Sequence, residues 1–188
     1  MKKGLIIVIA IVAVIAILGG SLVSSYNELV VKQANVENAD AQIKVQLQRR
    51  ADLIPNLVNT VKGYAAHEEG VYTALADARA KLNSASTPEE YTEVNETFTE
   101  AFSRLLVVVE NYPELKADKN FIALQDEIAG TENRLSVARK DYNDIATDYN
   151  ATIKKFPNVI FAGLFGFEKV DLFEITSEIE TVPTVDFE

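Results

Sequence analysis

The chain lacks residue types that several common functional sites require. Its 188 residues include no cysteine and a single histidine, His67. Without cysteine there is no disulfide framework, thiolate metal site or cysteine nucleophile. The sequence His67-Glu68-Glu69 has no second histidine four residues on, which a zinc-protease helix needs. One histidine also cannot supply the two Glu-x-x-His steps of a di-iron helical bundle, so we expect no metal and no other cofactor.

Positive charge is scarce as well. The chain has 18 lysines and arginines against 28 aspartates and glutamates, giving a net charge of −10. Nucleic-acid binding requires a basic footprint, so a nucleic-acid partner is not expected. There is no glycine-rich phosphate loop and no nucleophile elbow, and clusters of glutamates such as residues 89–100 are interpreted as a solvated helix face. We therefore expect a protein that is not an enzyme.

A long apolar run opens the chain. Residues 4–23 carry no charge, and residues 5–18 are all apolar. Twenty helical residues extend about 30 Å, the thickness of the hydrocarbon core of a bilayer. The run predicts a single transmembrane helix that contacts the lipid bilayer through residues 4–23.

The same run resembles a signal peptide in some respects. Two lysines precede it, and the small residues Gly19-Gly20-Ser21 follow its apolar core. We favour a retained anchor because the apolar pattern continues into the next helix without a polar spacer. Lys2 and Lys3 place the amino terminus in the cytoplasm by the positive-inside bias, so the soluble domain is expected outside it, at the cell membrane.

Apolar residues at three- and four-residue steps predict long helices in the rest of the chain. The first is expected to run from the membrane through residues 46–64, with a kink at Pro55, and to resume to about Asn83. A proline inside a helix removes one donor and presses on the preceding turn, at a cost of about 3 kcal/mol. The apolar stripe of residues 46–64 comprises Leu47, Ala51, Ile54, Leu57, Val58 and Val61.

Two further helices have clear start signals. Thr87-Pro88-Glu89-Glu90 is a capping box with proline at the first helical position, and Pro113 stops the helix that it opens. Asp118 is expected to cap the last long helix, which continues to about Lys155. The predicted fold is all-α: a transmembrane helix at residues 1–23, an antiparallel bundle of long helices at residues 24–167, and an acidic extended tail at residues 168–188.

The stretch with Pro55 also holds paired arginines. Arg49 and Arg50 could bind an anion, but a structural ion pair is the favoured interpretation, with Asp52 three residues from Arg49 and acids elsewhere in the bundle as partners. Asn56 follows Pro55 on the polar stripe of the same helix.

Aromatic residues mark two other candidate interaction sites. Tyr142 and Tyr149 lie seven residues apart, so both face the same way, and we interpret them as core residues with a hydroxyl at the rim rather than as a ligand site. Residues 159–167 contain no polar side chain, and they include Phe161, Phe165 and Phe167. This segment is expected to cap an apolar end of the bundle; the alternative is an aromatic patch that meets a membrane or a partner.

Several short motifs, in order, resemble those of the LemA family of membrane-anchored bacterial proteins from the first span to about Glu174. They are Tyr26-Asn27-Glu28-Leu29-Val30, residues 46–58 (QLQRRADLIPNLV), residues 61–64 (VKGY), residues 110–116 (ENYPELK), residues 131–134 (TENR), Ala138-Arg139, Tyr142-Asn143, Tyr149-Asn150 and residues 165–167 (FGF). Ala51 departs from the family pattern, in which an aromatic residue more often follows the arginines, and the acidic tail lies outside the shared pattern. The resemblance implies a membrane-tethered antiparallel helical bundle without known enzymatic activity.

Together these features predict a scaffold or interaction protein at the cell envelope, which binds an unidentified membrane or envelope protein and self-associates as a homo-oligomer. The alternative is a sensor or binding module that recognises a lipid or a small ligand at the end of the bundle, formed by Pro55 and residues 159–167.

Retention of the anchor is testable on the mature protein. We expect protein extracted from membranes to have the intact mass of the whole chain, 20.7 kDa. A variant with Gly19→Ala and Ser21→Ala, which places Ala-Gly-Ala after the apolar run, provides the comparison for cleavage by a leader peptidase. A wild-type mass that lacks residues 1–23 would show that the run is a signal peptide.

Overall fold

A computed structural model describes residues 2–65 and 67–174 of the chain. Within these ranges it contains six helices and no strand, so the predicted all-α class is confirmed. The helices are α1 (Lys2–Lys62), α2 (Glu69–Ser84), α3 (Pro88–Val109), α4 (Pro113–Lys116), α5 (Lys119–Lys154) and α6 (Asn158–Phe165).

Helix α1 joins the apolar run to the bundle without a break. Among the described residues it is the one helix long and apolar enough to cross a membrane, and its most apolar window is entirely unburied. Further along, the side chains of Leu29, Ile43, Leu57 and Val61 are completely buried. One helix therefore has a first part available to lipid and a second part packed against protein.

The course of this helix near Pro55 differs from the prediction in one respect. Pro55 lies inside α1, as expected, but the helix ends at Lys62 and does not continue to Asn83. Gly63, a poor helix former, follows the last helical residue. Tyr72 of α2 donates a hydrogen bond of 2.6 Å to the carbonyl of Ala65 in the connection that follows α1, and α2 packs on α1. The apolar stripe of residues 69–84 thus belongs to a separate helix.

Local capping chemistry starts the later helices where the sequence predicts. Thr87 Oγ1 accepts a hydrogen bond of 3.2 Å from the Glu90 amide, and the Glu90 carboxylate accepts one of 3.3 Å from the Thr87 amide. A further backbone hydrogen bond, from Ser86, lowers the pKa of Glu90. Asp118 accepts hydrogen bonds from the amides of Asn120 and Phe121 at 2.9 and 3.0 Å. The capping box and the Asp118 cap are confirmed.

The core has two levels along α1. Away from the membrane, α2 and α3 pack together as a hairpin, and α2 packs on α1. Helix α5 returns along α1 in the opposite direction and forms the most extensive contact in the molecule. The hairpin turns at residues 85–87, close to Tyr91, whose hydroxyl lies near Asp40 and Lys44 of α1. Closer to the membrane, α1 is covered by α5, α6 and the extended residues that follow α6.

Helix α6 folds back at the membrane-proximal end. It packs on α1 and α5, and the ring of Phe165 lies 4.9 Å from that of Tyr26, measured between centroids. Phe161 and Phe167 are half-buried, whereas 45% of Phe165 and 70% of Leu164 are exposed. The segment therefore packs on the bundle with one face, as the capping interpretation expects, and leaves an apolar face exposed.

Gly166 follows the last residue of α6 and has the left-handed backbone conformation, with φ at 77°. The chain then becomes extended. Residues 167–174 have no regular secondary structure, which agrees with the extended tail predicted from residue 168. They are nevertheless packed on the bundle, and Phe173 is buried. The rest of the predicted tail, residues 175–188, lies outside the described residues.

Replacing Pro55 by alanine should stabilise the protein. Alanine restores the backbone donor that a helix interior uses, while the unfolded chain regains freedom worth about 0.4–1 kcal/mol. The proline cost of about 3 kcal/mol less this gain leaves an expected rise of about 2–3 kcal/mol in the free energy of unfolding in urea. An unchanged or lower value would mean that Pro55 imposes no cost on α1.

Candidate functional site

A buried arginine lies where three helices meet. Arg50 of α1 is 3% exposed, and its Nη1 atom donates hydrogen bonds to Asn95 Oδ1 of α3 and to Glu132 Oε2 of α5. Asn95 in turn donates through Nδ2 to the Glu132 carboxylate at 3.4 Å. The Arg50 guanidinium also lies 4.3 Å from the centroid of the Phe98 ring. We call Arg50, Asn95 and Glu132 the inter-helix triad.

Burial and charge act on this arginine in opposite directions. Removal from water lowers the pKa of Arg50, and the carboxylate of Glu132 counteracts part of that effect. Arg50 Nη1 and the Asn95 side-chain amide are hydrogen-bonded within the triad, and the ring of Phe98 lies over the guanidinium, whereas Arg50 Nε is buried without a partner among the described residues. The triad therefore ties α1, α3 and α5 together. Sequence reasoning anticipated an ion pair for Arg50 but not its partners.

The neighbouring arginine has a different partner from the one predicted. Arg49 forms a salt bridge of 2.6 Å with Glu127 of α5, and Arg134 binds the same carboxylate at 2.9 Å. Asp52 accepts a hydrogen bond of 2.9 Å from Gln48 and is not the partner of Arg49. The predicted structural ion pair is therefore present, but its partner is an acid elsewhere in the bundle and not the nearby Asp52.

Pro55 and Asn56 lie near the carboxyl-terminal end of α1, far from its apolar run. Pro55 is half-buried and Asn56 is exposed, and the backbone carbonyl of Asn56 accepts a hydrogen bond of 2.9 Å from Thr60. They are about 29 residues beyond Tyr26, the residue that α6 contacts, which corresponds to about 44 Å of helix. Pro55 and residues 159–167 therefore lie at opposite levels of the bundle, because α5 carries the chain back toward the membrane. The prediction that Pro55 and residues 159–167 together form one binding site at the end of the bundle is therefore wrong.

A second polar arrangement holds the extended residues against α5. The side-chain amide of Asn150 donates to the carbonyl of Val170 at 2.8 Å and accepts from the amide of Val170 at 3.0 Å. Asn143 does the same for Phe173, with both distances at 2.9 Å. We call these two asparagines the asparagine ladder.

The spacing of the ladder follows from elementary geometry. Seven helical residues between Asn143 and Asn150 extend about 10.5 Å, and three extended residues between Val170 and Phe173 extend about 10 Å. Asn143 therefore lies beside Phe173 and Asn150 beside Val170, and residues 170–173 run antiparallel to α5. An asparagine side chain can present one acceptor and one donor to the two backbone groups of a residue. The bonding is to backbone atoms and does not depend on side-chain identity.

The tyrosines that precede these asparagines lie in the core. Tyr142 and Tyr149 are both buried, and the Tyr142 hydroxyl donates to the carbonyl of Asp171 at 3.0 Å. Phe173 stacks on Tyr91 at 6.1 Å and meets Tyr142 edge-on at 5.3 Å, both between ring centroids. The sequence showed the repeated Tyr-Asn pair, but the role of its asparagines was missed. Their recurrence at seven-residue spacing was the available signal.

Another arginine closes the aromatic cluster. Arg139 donates to the carbonyl of Tyr91 at 3.1 Å, and its guanidinium lies 5.4 Å from the centroid of the Phe173 ring. Burial lowers the pKa of Arg139. In the ranges that the structure describes, no group of three or more histidine, cysteine, aspartate or glutamate side chains has the arrangement of a metal site. Most of the buried polar groups described above bind one another across the bundle, but the Nε atoms of Arg50 and Arg139 have no hydrogen-bond partner among the described residues.

Comparison with known proteins places these features in a family. The sequence profile described as "LemA family" matches residues 39–187, most of the chain. The chain belongs to the LemA family. The match continues almost to the carboxyl terminus, so the expectation that the family pattern excludes the acidic tail was wrong. Both the inter-helix triad and the asparagine ladder lie inside the matched region.

Individual relatives are similar over most of the chain. Protein LemA of Metamycoplasma hominis is 27% identical over 161 residues, which cover 83% of this chain and 71% of that protein. Magnetosome protein MamQ 2 of Paramagnetospirillum magneticum is 24% identical over 195 aligned residues, covering 90% of this chain and 71% of that protein. Magnetosome protein MamQ of Magnetospirillum gryphiswaldense is 23% identical with the same coverage. The chain is a membrane-associated LemA family protein with an amino-terminal apolar helix.

The triad can be tested by removing its carboxylate. Glu132→Ala leaves the buried Arg50 without its ionic partner, so the free energy of unfolding should fall by about 2–3 kcal/mol in urea titrations, allowing for the partial exposure of Glu132. The matched control is Glu127→Ala on the same helix, whose partners Arg49 and Arg134 are exposed whereas Arg50 is buried, so it should cost about 1 kcal/mol or less. Adding Arg50→Met to Glu132→Ala should recover most of the loss. Equal effects of the two glutamate substitutions would contradict a special role for the triad.

The ladder can be tested by hydrogen exchange. Asn150→Ala removes both side-chain bonds to Val170, so we expect exchange of the Val170 amide to accelerate roughly thirtyfold, which corresponds to about 2 kcal/mol. Asn133→Ala, at an exposed position of the same helix, is the control and should leave that amide unchanged. Unchanged protection in Asn150→Ala would mean that residues 168–174 are held by other contacts.

Proposed function

We propose that this LemA family protein is a non-enzymatic, membrane-anchored scaffold or interaction protein of the cell envelope. The observation that carries the proposal is the continuity of α1, in which a lipid-compatible run and the central helix of the bundle form one element. A bundle attached in this way presents its faces at a fixed height and angle to the membrane. That is the requirement for a scaffold, whereas a flexible tether would serve only to retain a protein near the bilayer.

The distribution of polar groups supports a role without catalysis. Arg50, the asparagine ladder and Arg139 have partners within the bundle, and their bonds connect helices with each other or with the extended segment. The names of the relatives, LemA and MamQ, are not names of enzymes. The orientation that fits Lys2 and Lys3 places the bundle outside the cytoplasm, where it would meet envelope proteins.

The groove between α1 and α5 is the face best suited to a protein partner. Val45 and Val137 are each 60% exposed there, and they line a groove of about 540 Å3 together with the polar residues Gln42 and Asn133 and the charged residues Arg134 and Asp141. Apolar side chains at this level of exposure gain stability when a partner covers them. A second copy of the chain is one such partner, which gives the self-association expected from the sequence.

Site-specific crosslinking in intact cells tests the proposal. A photoreactive amino acid at position 137, in place of Val137, should give a discrete crosslinked product that mass spectrometry can identify. The same photoreactive amino acid in place of Glu100, on the acidic face of α3, should give little crosslinked product. A product containing two copies of the chain would identify self-association, and mass photometry in detergent should then show more than monomer. No product from Val137 beyond that from Glu100 would contradict an interaction at this groove.

A further inference from the structure

A polar cleft lies where the bundle meets the apolar part of α1. Its walls come from α1, from the end of α5 and from the start of α6, and its volume is about 430 Å3. Small-molecule sites in proteins range from about 300 to 1,000 Å3. The cleft is lined by Ser21, Ser24, Ser25, Glu28, Lys155 and Asn158, among others.

The depth of the cleft follows from its place on α1. Ser21 belongs to the uncharged run of residues 4–23, and Glu28 is the first charged residue after that run. A helix that spans the hydrocarbon core with residues 4–23 leaves Ser24 to Glu28 at the level of the lipid headgroups. Two turns of α1 therefore bring the polar wall of the cleft to the bilayer interface.

Two buried polar side chains face this cleft without protein partners. Ser25 and Asn158 are each 7% exposed and line its wall. Within residues 2–65 and 67–174, the structure gives neither side chain a hydrogen bond. Their polar atoms are open to the cleft, so they are available to hydrogen-bond a ligand with polar atoms.

The charges around the cleft match a ligand with one positive and one negative group. Lys32 and Asp148 both line the cleft and form a salt bridge with each other. Glu28 and Lys155 also line it, and neither forms an ion pair with a described residue. A purely anionic ligand would place its negative charge near Glu28 as well as Lys155, whereas a zwitterion pairs with both.

Apolar surface adjoins the polar cleft on the side of α6. Phe156 lines the cleft and is 81% exposed, and Val159, Ile160 and Leu164 of α6 are exposed beyond it. At the level of the bilayer interface, such side chains are stabilised by contact with lipid chains. The polar cleft and the apolar surface of α6 thus lie next to each other, as the polar headgroup and the acyl chains do in a phospholipid.

We propose that the cleft binds a zwitterionic phospholipid with a phosphoethanolamine headgroup. Its phosphate accepts hydrogen bonds from Lys155 and the serine hydroxyls, its ammonium group donates to Glu28, and its acyl chains lie along Phe156 and α6. A phosphocholine headgroup has no N–H to donate to Glu28, so it binds more weakly. This site goes beyond the scaffold role and does not depend on it, because it requires lipid and no protein partner.

Native mass spectrometry of the full chain, released from nanodiscs that contain equal amounts of phosphatidylethanolamine, phosphatidylcholine and phosphatidylglycerol, tests the proposal. We expect phosphatidylethanolamine to be retained in preference to the other two. Glu28→Gln and Lys155→Gln should each weaken its retention about tenfold, the effect of losing a charge-assisted hydrogen bond. Glu114→Gln and Lys119→Gln make the same charge changes at the far end of the bundle and should have no effect.

Four results would overturn the proposal. Equal retention of the three lipids would show that the cleft has no headgroup selectivity, and preference for phosphatidylglycerol would show that it is an anion site. Retention by Glu28→Gln and Lys155→Gln at the wild-type level would place the lipid elsewhere. A soluble arm completes the test: free phosphoethanolamine should displace the lipid poorly because it lacks acyl chains, and efficient displacement would identify a soluble ligand instead.

Discussion

The structure depends on one constraint, which is that the apolar stripe of α1 must be covered along its whole length outside the membrane. Buried residues follow one another on this helix from Leu29 to Val61. The α2–α3 hairpin extends only from the far end of α1 to the level of Tyr91, opposite Asp40 and Lys44. If nothing packed on the part of α1 that the hairpin does not reach, its leucine and isoleucine side chains would be exposed to water, at a cost of about 1.5–3 kcal/mol for each.

The lower half of the molecule meets this constraint with other elements. Helix α5 is long enough to run back to the membrane, and α6 and residues 167–174 fill the place of the missing hairpin. An extended segment cannot supply a helix-like ridge of side chains, so it is fixed through its backbone by Asn143 and Asn150 and through one buried ring, Phe173. The triad at Arg50 connects the level where the hairpin is present with α5. Together these contacts give the membrane anchor a rigid extension.

What the sequence predicted correctly is local. The all-α class follows from periodicity, and the starts of α3 and α5 follow from Thr87 and Asp118, whose side chains bond to amides within the next three residues. What it missed depends on residues far apart in the chain. Arg49 binds Glu127 rather than the nearby Asp52, and the partners of Asn143 lie 30 residues away. The end of α1 at Lys62 was missed because apolar spacing continues across residues 63–68, and only the packing of α2 on α1 shows the reversal.

The continuity of α1 is the central claim, and a distance between two spin labels tests it most directly. The chain has no cysteine, so Val12→Cys in the apolar run and Val31→Cys in the bundle, both exposed on α1, can be labelled without further changes. An unbroken helix places these positions about 29 Å apart, at about 1.5 Å for each of 19 residues. Double electron–electron resonance on the full chain in nanodiscs should give one narrow distribution near that value. A broad distribution, or one centred many ångströms lower, would show that α1 is hinged and would contradict the account of a rigid, membrane-anchored bundle.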